Sequence, residues 1–252
     1  MTFDAAISLL PFAMMRFAPL ILVSALTPFN AVPVTIRVIV LLGLSLLAVG
    51  ADHAQAALPG LEQPEAWLLA MLGESVMGLS LSLAVILPMA ALDFAAKVVD
   101  IQSGASAASL FNPTTHIVES LAGTVMQWAG MVVFFSLGLH LLLMRGMVAS
   151  IDQVPLGHGG LLVAPSLLLE KLSSQFLLGL MISAPAMLGL FAIDLTVAYA
   201  SRSMPQANIY FVALPLKLLA GYVLLAGSLR FAPPLIERLY RDAFPFLRGG
   251  VS

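Results

Sequence analysis

Glu74, Asp93, Lys97, Asp100, Glu119, Lys171, Asp194 and Lys217 carry charge in or beside stretches that are otherwise apolar. A charge at the centre of a membrane helix costs about 2.5–3.5 kcal/mol on insertion scales, so such residues are paired, line a polar path or reach water at a helix end. Asp93, Lys97 and Asp100 are spaced i, i+4, i+7 and share a helix face, where Lys97 can pair with either carboxylate. Two chemistries fit them: a polar pathway or partner contact, or a solvated helix end. Glu74 is followed mostly by apolar sequence, so water at a helix end accounts for it less well.

Other chemistry finds little support. The chain has no cysteine, which excludes disulfides, thiolate metal sites and cysteine nucleophiles. His53, His116, His140 and His158 stand apart, with no pair at i+3 or i+4 to begin a metal site. An intramembrane protease would have to use serine or aspartate, and the small-residue setting of Ser106 has only His116 near it. We expect no enzyme, no cofactor and no metal. The thirteen methionines include Met14 and Met15, which point in different directions on a helix and form no stripe. They read as adaptable core filling.

The elements that must hold these residues are apolar helices. Of the 252 residues, 60% are hydrophobic and 10% charged, against about 45–50% and about 25% in soluble domains. This excludes a soluble monomer and a disordered chain, and the net charge of −2 argues against nucleic-acid binding. Asp4 ahead of the first apolar run and Arg16 within it do not suit a secretory signal, so residues 1–30 are expected in the mature protein. Six apolar segments follow, about 5–29, 34–51, 67–92, 118–144, 166–198 and 209–232. Ser120–Met144 and Leu172–Ile193 hold no Asp, Glu, Lys or Arg and have the length of full spans. The stretch Val38–Ala51 is short for one, and Pro19, Pro88, Pro185 and Pro215 are expected to kink their helices. The expected fold is all-α, membrane-associated helical hairpins with kinked and broken helices, one domain over 1–252 with a basic tail at 233–252, assembled with partner subunits. Gly78 and Ser82 form a small-xxx-small pair that permits close helix approach.

Topology is contradictory if every segment spans. Residues 52–66 carry Asp52, Glu62 and Glu65 without Lys or Arg and read as non-cytoplasmic, whereas the tail with Arg238, Arg241 and Arg248 reads as cytoplasmic. Four segments lie between them, and an even number returns the chain to the same side. A secondary transporter or small channel explains broken helices and buried charge, but the two halves show no convincing repeat.

The stretch 100–116 is the most unusual. Ser103 to Ser109 are all small, Phe111 is its one aromatic, and Gly104 and Asn112-Pro113 interrupt helix. It is too polar to face lipid and too apolar for a free loop, which suits backbone packed inside protein or lining a cavity. Asp100-x-Gln102-x-Gly104-x-Ser106-x-Ala108-Ser109-Leu110-Phe111-Asn112-Pro113 resembles the signature of the FliR/SctT family. Ser201-Arg202-x-x-Pro205-Gln206-x-Asn208 followed by Leu214-Pro215-Leu216-Lys217 is a second match, and Glu74-x-x-x-Gly78 a looser third. Arg16, Pro28, Pro33 and Arg37 suit that family's opening hairpin. The resemblance runs in order over nearly the whole chain. It implies an export-gate subunit of the flagellum or injectisome, with the flagellar branch favoured. Implied partners are FliP-type, FliQ-type and FlhB-type subunits, unfolded protein substrates and membrane lipid, at the bacterial inner membrane. It also implies a plug in the closed pore at 103–116, with Gln102, Ser103, Gly104, Ser106, Ser109, Leu110, Phe111, Asn112 and Pro113 as pore or plug residues. Glu74, Asp93, Lys97, Asp100, Arg202, Gln206, Asn208 and Lys217 are the expected buried polar and assembly residues.

Overall fold

The computed structural model describes residues 3–22, 32–51, 64–105, 120–159, 165–203 and 209–243. Every regular element among them is a helix: α1 (Phe3–Ile21), α2 (Val34–Ala51), α3 (Pro64–Ser103), α4 (Leu121–Ser136), α5 (Leu139–Gln153), α6 (Pro165–Ser203), α7 (Ile209–Leu229) and α8 (Ala232–Ala243). Helix is the answer that apolar surroundings impose, because it satisfies every interior backbone group within the segment. Local signals set the ends. Proline opens α3 and α6, where a missing N–H costs nothing. Ser120 caps α4 by accepting from the Gly123 amide at 2.7 Å. Gly104 ends α3 at φ 84°, a left-handed conformation that glycine adopts without strain.

By length and composition, α3, Leu169–Ser203 of α6 and Phe211–Leu229 of α7 are able to cross a membrane. The 40 residues of α3 are about twice what a hydrocarbon core requires. Asp93 and Lys97 lie within this helix, Lys97 exposed, and Asp100 lies in its last turn. The expected single span Ser120–Met144 divides at Leu137–Gly138 into α4 and α5, with Gly138 at φ 67°. Pro19, Pro88, Pro185 and Pro215 each lie within a helix that continues past them. The tail expected from 233 onward begins as α8, whose Ala232, Ile236, Leu239, Tyr240 and Ala243 are buried at helical spacing.

The chain forms two compact units. The first comprises 1–87, 138–171 and 241–252 and the second 88–137 and 172–240, so α3, α6 and α8 each contribute to both. In the first unit, α1 and α2 pack against each other, and the buried residues include Phe12, Phe17, Leu20, Met77 and Leu143. The Phe12 and Trp67 rings lie 4.8 Å apart. In the second, Leu92, Met126, Phe134, Leu190 and Leu225 are buried. There Phe134 and Tyr240 have ring centroids 5.5 Å apart.

Large apolar side chains also remain uncovered. Leu188, Phe191, Leu195 and Tyr199 on α6, and Val212, Leu216, Leu219 and Val223 on α7, recur on single faces and are exposed. Water alone does not tolerate apolar faces of this extent.

Candidate functional site

In the first unit the polar centre is an ion pair between Arg16 and Glu74, both side chains 0% exposed. Arg16 sits on α1 and Glu74 on α3. Arg16 Nε donates to Glu74 Oε2 at 2.5 Å and Nη2 donates to Oε1 at 2.9 Å. The remaining guanidinium protons go to the C-terminal end of α5. Nη1 donates to the carbonyls of Ser150 (3.1 Å) and Val154 (2.8 Å), and Nη2 to that of Pro155 (3.4 Å). Glu74 Oε1 also accepts from the amides of Gly157 (2.9 Å) and Gly159 (3.0 Å). The cation thus serves carbonyls at and just past a helix C-terminus, two of which also accept from backbone amides, and the carboxylate serves the amides of the turn behind it, each complementing the local backbone polarity.

Glycines let the backbones come close enough. A Cβ on Gly78 would strike the Arg16 carbonyl, and one on Gly73 would strike that of Gly159. Gly78, the glycine of the small-xxx-small pair, therefore lets α3 approach α1 closely. The sequence marked Glu74 as a misplaced charge and Arg16 as an interruption of its segment. It did not pair them, and it passed over Gly157 and Gly159.

In the second unit the expected Asp93–Lys97–Asp100 cluster separates. Lys97 Nζ pairs with Asp93 at 2.7 Å, and Gln127 Nε2 donates to Asp93 Oδ1 at 3.1 Å. Asp100 turns away and is buried. Its Oδ2 accepts a hydrogen bond from the Ser120 hydroxyl, while Oδ1 has no hydrogen-bond partner among the described residues. Ser120 thereby joins the end of α3 to the start of α4 while capping α4.

The two sequence motifs meet around this junction. Gln102 Nε2 donates to the Met187 carbonyl of α6 at 3.0 Å. Ser103 is buried and faces Gly221, where an added Cβ would lie 2.9 Å from the Ser103 Cβ. Leu214 packs on Gly104, 2.9 Å from where a Cβ would stand. Lys217 Nζ pairs with Asp194 at 2.5 Å, with side chains 13% and 41% exposed. Lys217 thus takes the Asp194 carboxylate, and Arg202, expected among the buried polar residues, is exposed at the end of α6. Ser106, Ser109, Leu110, Phe111, Asn112, Pro113, Gln206 and Asn208 lie outside the described residues.

The α8 helix is held by side chains of which the sequence reading singled out only Lys171. Gln175 Nε2 donates to the Leu239 carbonyl at 2.9 Å, the Tyr240 hydroxyl to the Gly130 carbonyl at 3.3 Å, and Lys171 Nζ pairs with Asp242 at 2.9 Å. Burial pushes the Tyr240 phenol well above its ordinary value. Among the described residues, no three His, Asp or Glu side chains are grouped to hold a metal ion.

What remains is a set of polar junctions that fix helix ends inside an apolar chain. The sequence profile of the family described as "bacterial export proteins, family 1" matches residues 7–243. The chain belongs to this family. It is similar to the flagellar biosynthetic protein FliR of Bacillus subtilis (strain 168), with 29% identity over 66% of this chain and 66% of that one. FliR of Escherichia coli (strain K12) shares 27% identity over 70% and 68% of the two chains. The Yop proteins translocation protein T of Yersinia pestis shares 28% over 68% and 67%. The matched segments span about two thirds of each relative's length. The match favours the FliR/SctT resemblance over the transporter reading.

Proposed function

We propose that this export protein is a structural and gating subunit of a type III protein export gate, of the flagellar branch. It would pass unfolded substrates across the bacterial inner membrane in complex with FliP-, FliQ- and FlhB-type subunits. The observation that carries the reading is the family match across 7–243, with relatives named for both flagellar biosynthesis and Yop translocation. The uncovered apolar faces of α6 and α7 support membership in an assembly rather than a free-standing chain. The reading treats the whole of 1–252 as one functional subunit.

Residues 103–116 are proposed as the plug of the resting gate. The polar contacts near the two ends of this stretch support this: Asp100 with Ser120, and Gln102 with the Met187 carbonyl. Glu74, Asp93, Lys97, Asp100, Arg202, Gln206, Asn208 and Lys217 are proposed as residues on which assembly depends. The experiment is complementation of a strain lacking the chain. The intact protein is expected to restore export of flagellar subunits. A variant shortened within 106–113 is expected to assemble but to leak ions or small solutes. Failure of the intact chain to restore export refutes the first claim, and a tight shortened gate refutes the second.

A further inference from the structure

Helix α5 combines three features that belong to a moving part. A glycine in the left-handed region stands immediately before it, Gly138 at φ 67°, and a second, Gly157 at φ 89°, lies in the turn past its extended C-cap Val154. Its N-terminus has no side-chain cap, so little beyond backbone fixes that end. Its packing is also incomplete. An apolar cleft of about 250 Å³ lies beside it, lined by Met144, Met147 and Val148 of α5, Phe17 of α1, and Leu44 and Leu47 of α2. The cleft is open to the surface, where Leu47 and Val148 are exposed, and two of the α5 side chains facing it are methionines, which repack with little penalty.

Against this looseness stands one strong polar attachment. Arg16 and Glu74 grip the carbonyls of Ser150, Val154 and Pro155 and the amides of Gly157 and Gly159, all at the C-terminal end of α5. A buried ion pair contributes little net stability compared with apolar packing, and a switch is among its better-attested uses. We propose that α5 is a hinged element, latched at its C-terminal end by Arg16 and Glu74, which closes into the cleft beside α1 and α2 when the latch releases. In an export gate such a movement would separate a resting from a conducting arrangement. This part of the inference rests on the export reading, whereas the mobility of α5 does not.

The two parts are tested separately. Mobility is read by hydrogen exchange on the purified complex carrying Glu74→Gln, which keeps the size of the side chain but removes its charge. Amides of Leu139–Gln153 are expected to exchange at least tenfold faster than in the unaltered complex, with α1 and α3 unchanged. Equal protection of α5 in both proteins, or equal loosening of every helix, overturns the hinge. The role in export is read in a chain carrying Leu44→Cys and Val148→Cys, since the natural sequence has no cysteine to compete. Linking the two across the cleft with a reducible bis-maleimide after assembly is expected to lower export at least tenfold, with recovery on reduction. Undiminished export from quantitatively linked gates overturns the role. Export that persists in a strain lacking the chain altogether removes the export reading and this role with it, leaving the exchange result to stand or fall alone.

Discussion

Truncating the buried carboxylate, Glu74→Ala, leaves a guanidinium in a site with 0% exposure and no counter-charge. It also strips the amides of Gly157 and Gly159 of their acceptor. Breaking one partner of a buried pair costs about 3–5 kcal/mol, a large share of the roughly 5–15 kcal/mol by which folded domains are stable. For a chain of this size, that corresponds to a fall in melting temperature on the order of 10 °C. The amount of protease-resistant chain in detergent and its thermal melt measure the loss. The charge-swapped chain, Arg16→Glu with Glu74→Arg, separates a bare ion pair from the arrangement described above. Swapping restores the Coulomb attraction but places an acceptor against the carbonyls of Ser150 and Val154 and a donor against the amides of Gly157 and Gly159. It is therefore expected to rescue nothing. A swapped chain as stable as the unaltered one, or a Glu74→Ala chain within about 1 kcal/mol of it, refutes the reasoning, because a surface-like pair has that smaller value.

Gly73→Ala drives a methyl into the Gly159 backbone and is expected to destabilise by about 1–3 kcal/mol. Gly43→Ala meets nothing within 4 Å and should leave chain levels unchanged or higher, as immunoblots of membranes would report. Lys217→Met leaves Asp194 without its partner between two apolar helices and should reduce co-purifying complex. Adding Asp194→Leu should recover it, and a double variant as weak as the single one would show that the charges have another role. Since burial raises the Tyr240 phenol, its contribution is intact below about pH 10, where the unfolded chain's phenol begins to ionise, and is lost as pH rises further. Melts between about pH 9 and 11 should therefore fall more steeply for the unaltered chain than for Tyr240→Phe.

The sequence by itself determined everything that depends on neighbours along the chain. Runs of apolar residues made helices, because a backbone without water must bond to itself. The four-residue spacing of Asp93 and Lys97 made them partners. The stripe Ile236, Leu239, Tyr240, Ala243 behind two prolines also spelled out α8, although counting charges there suggested only a tail. The break at Gly138 was marked by one glycine in a charge-free run that otherwise fitted a single span. Tertiary structure decided the pairings. Arg16 and Glu74 stand 58 residues apart, and the amides that donate to Glu74 lie more than 80 residues beyond it. Nothing local states that Lys217 rather than Arg202 reaches Asp194, or that Asp100 turns from Lys97 to Ser120. The physical reason is that helices apolar on nearly every side carry little record of which face meets which neighbour. The few polar groups settle that only once the chain has brought them within hydrogen-bonding reach.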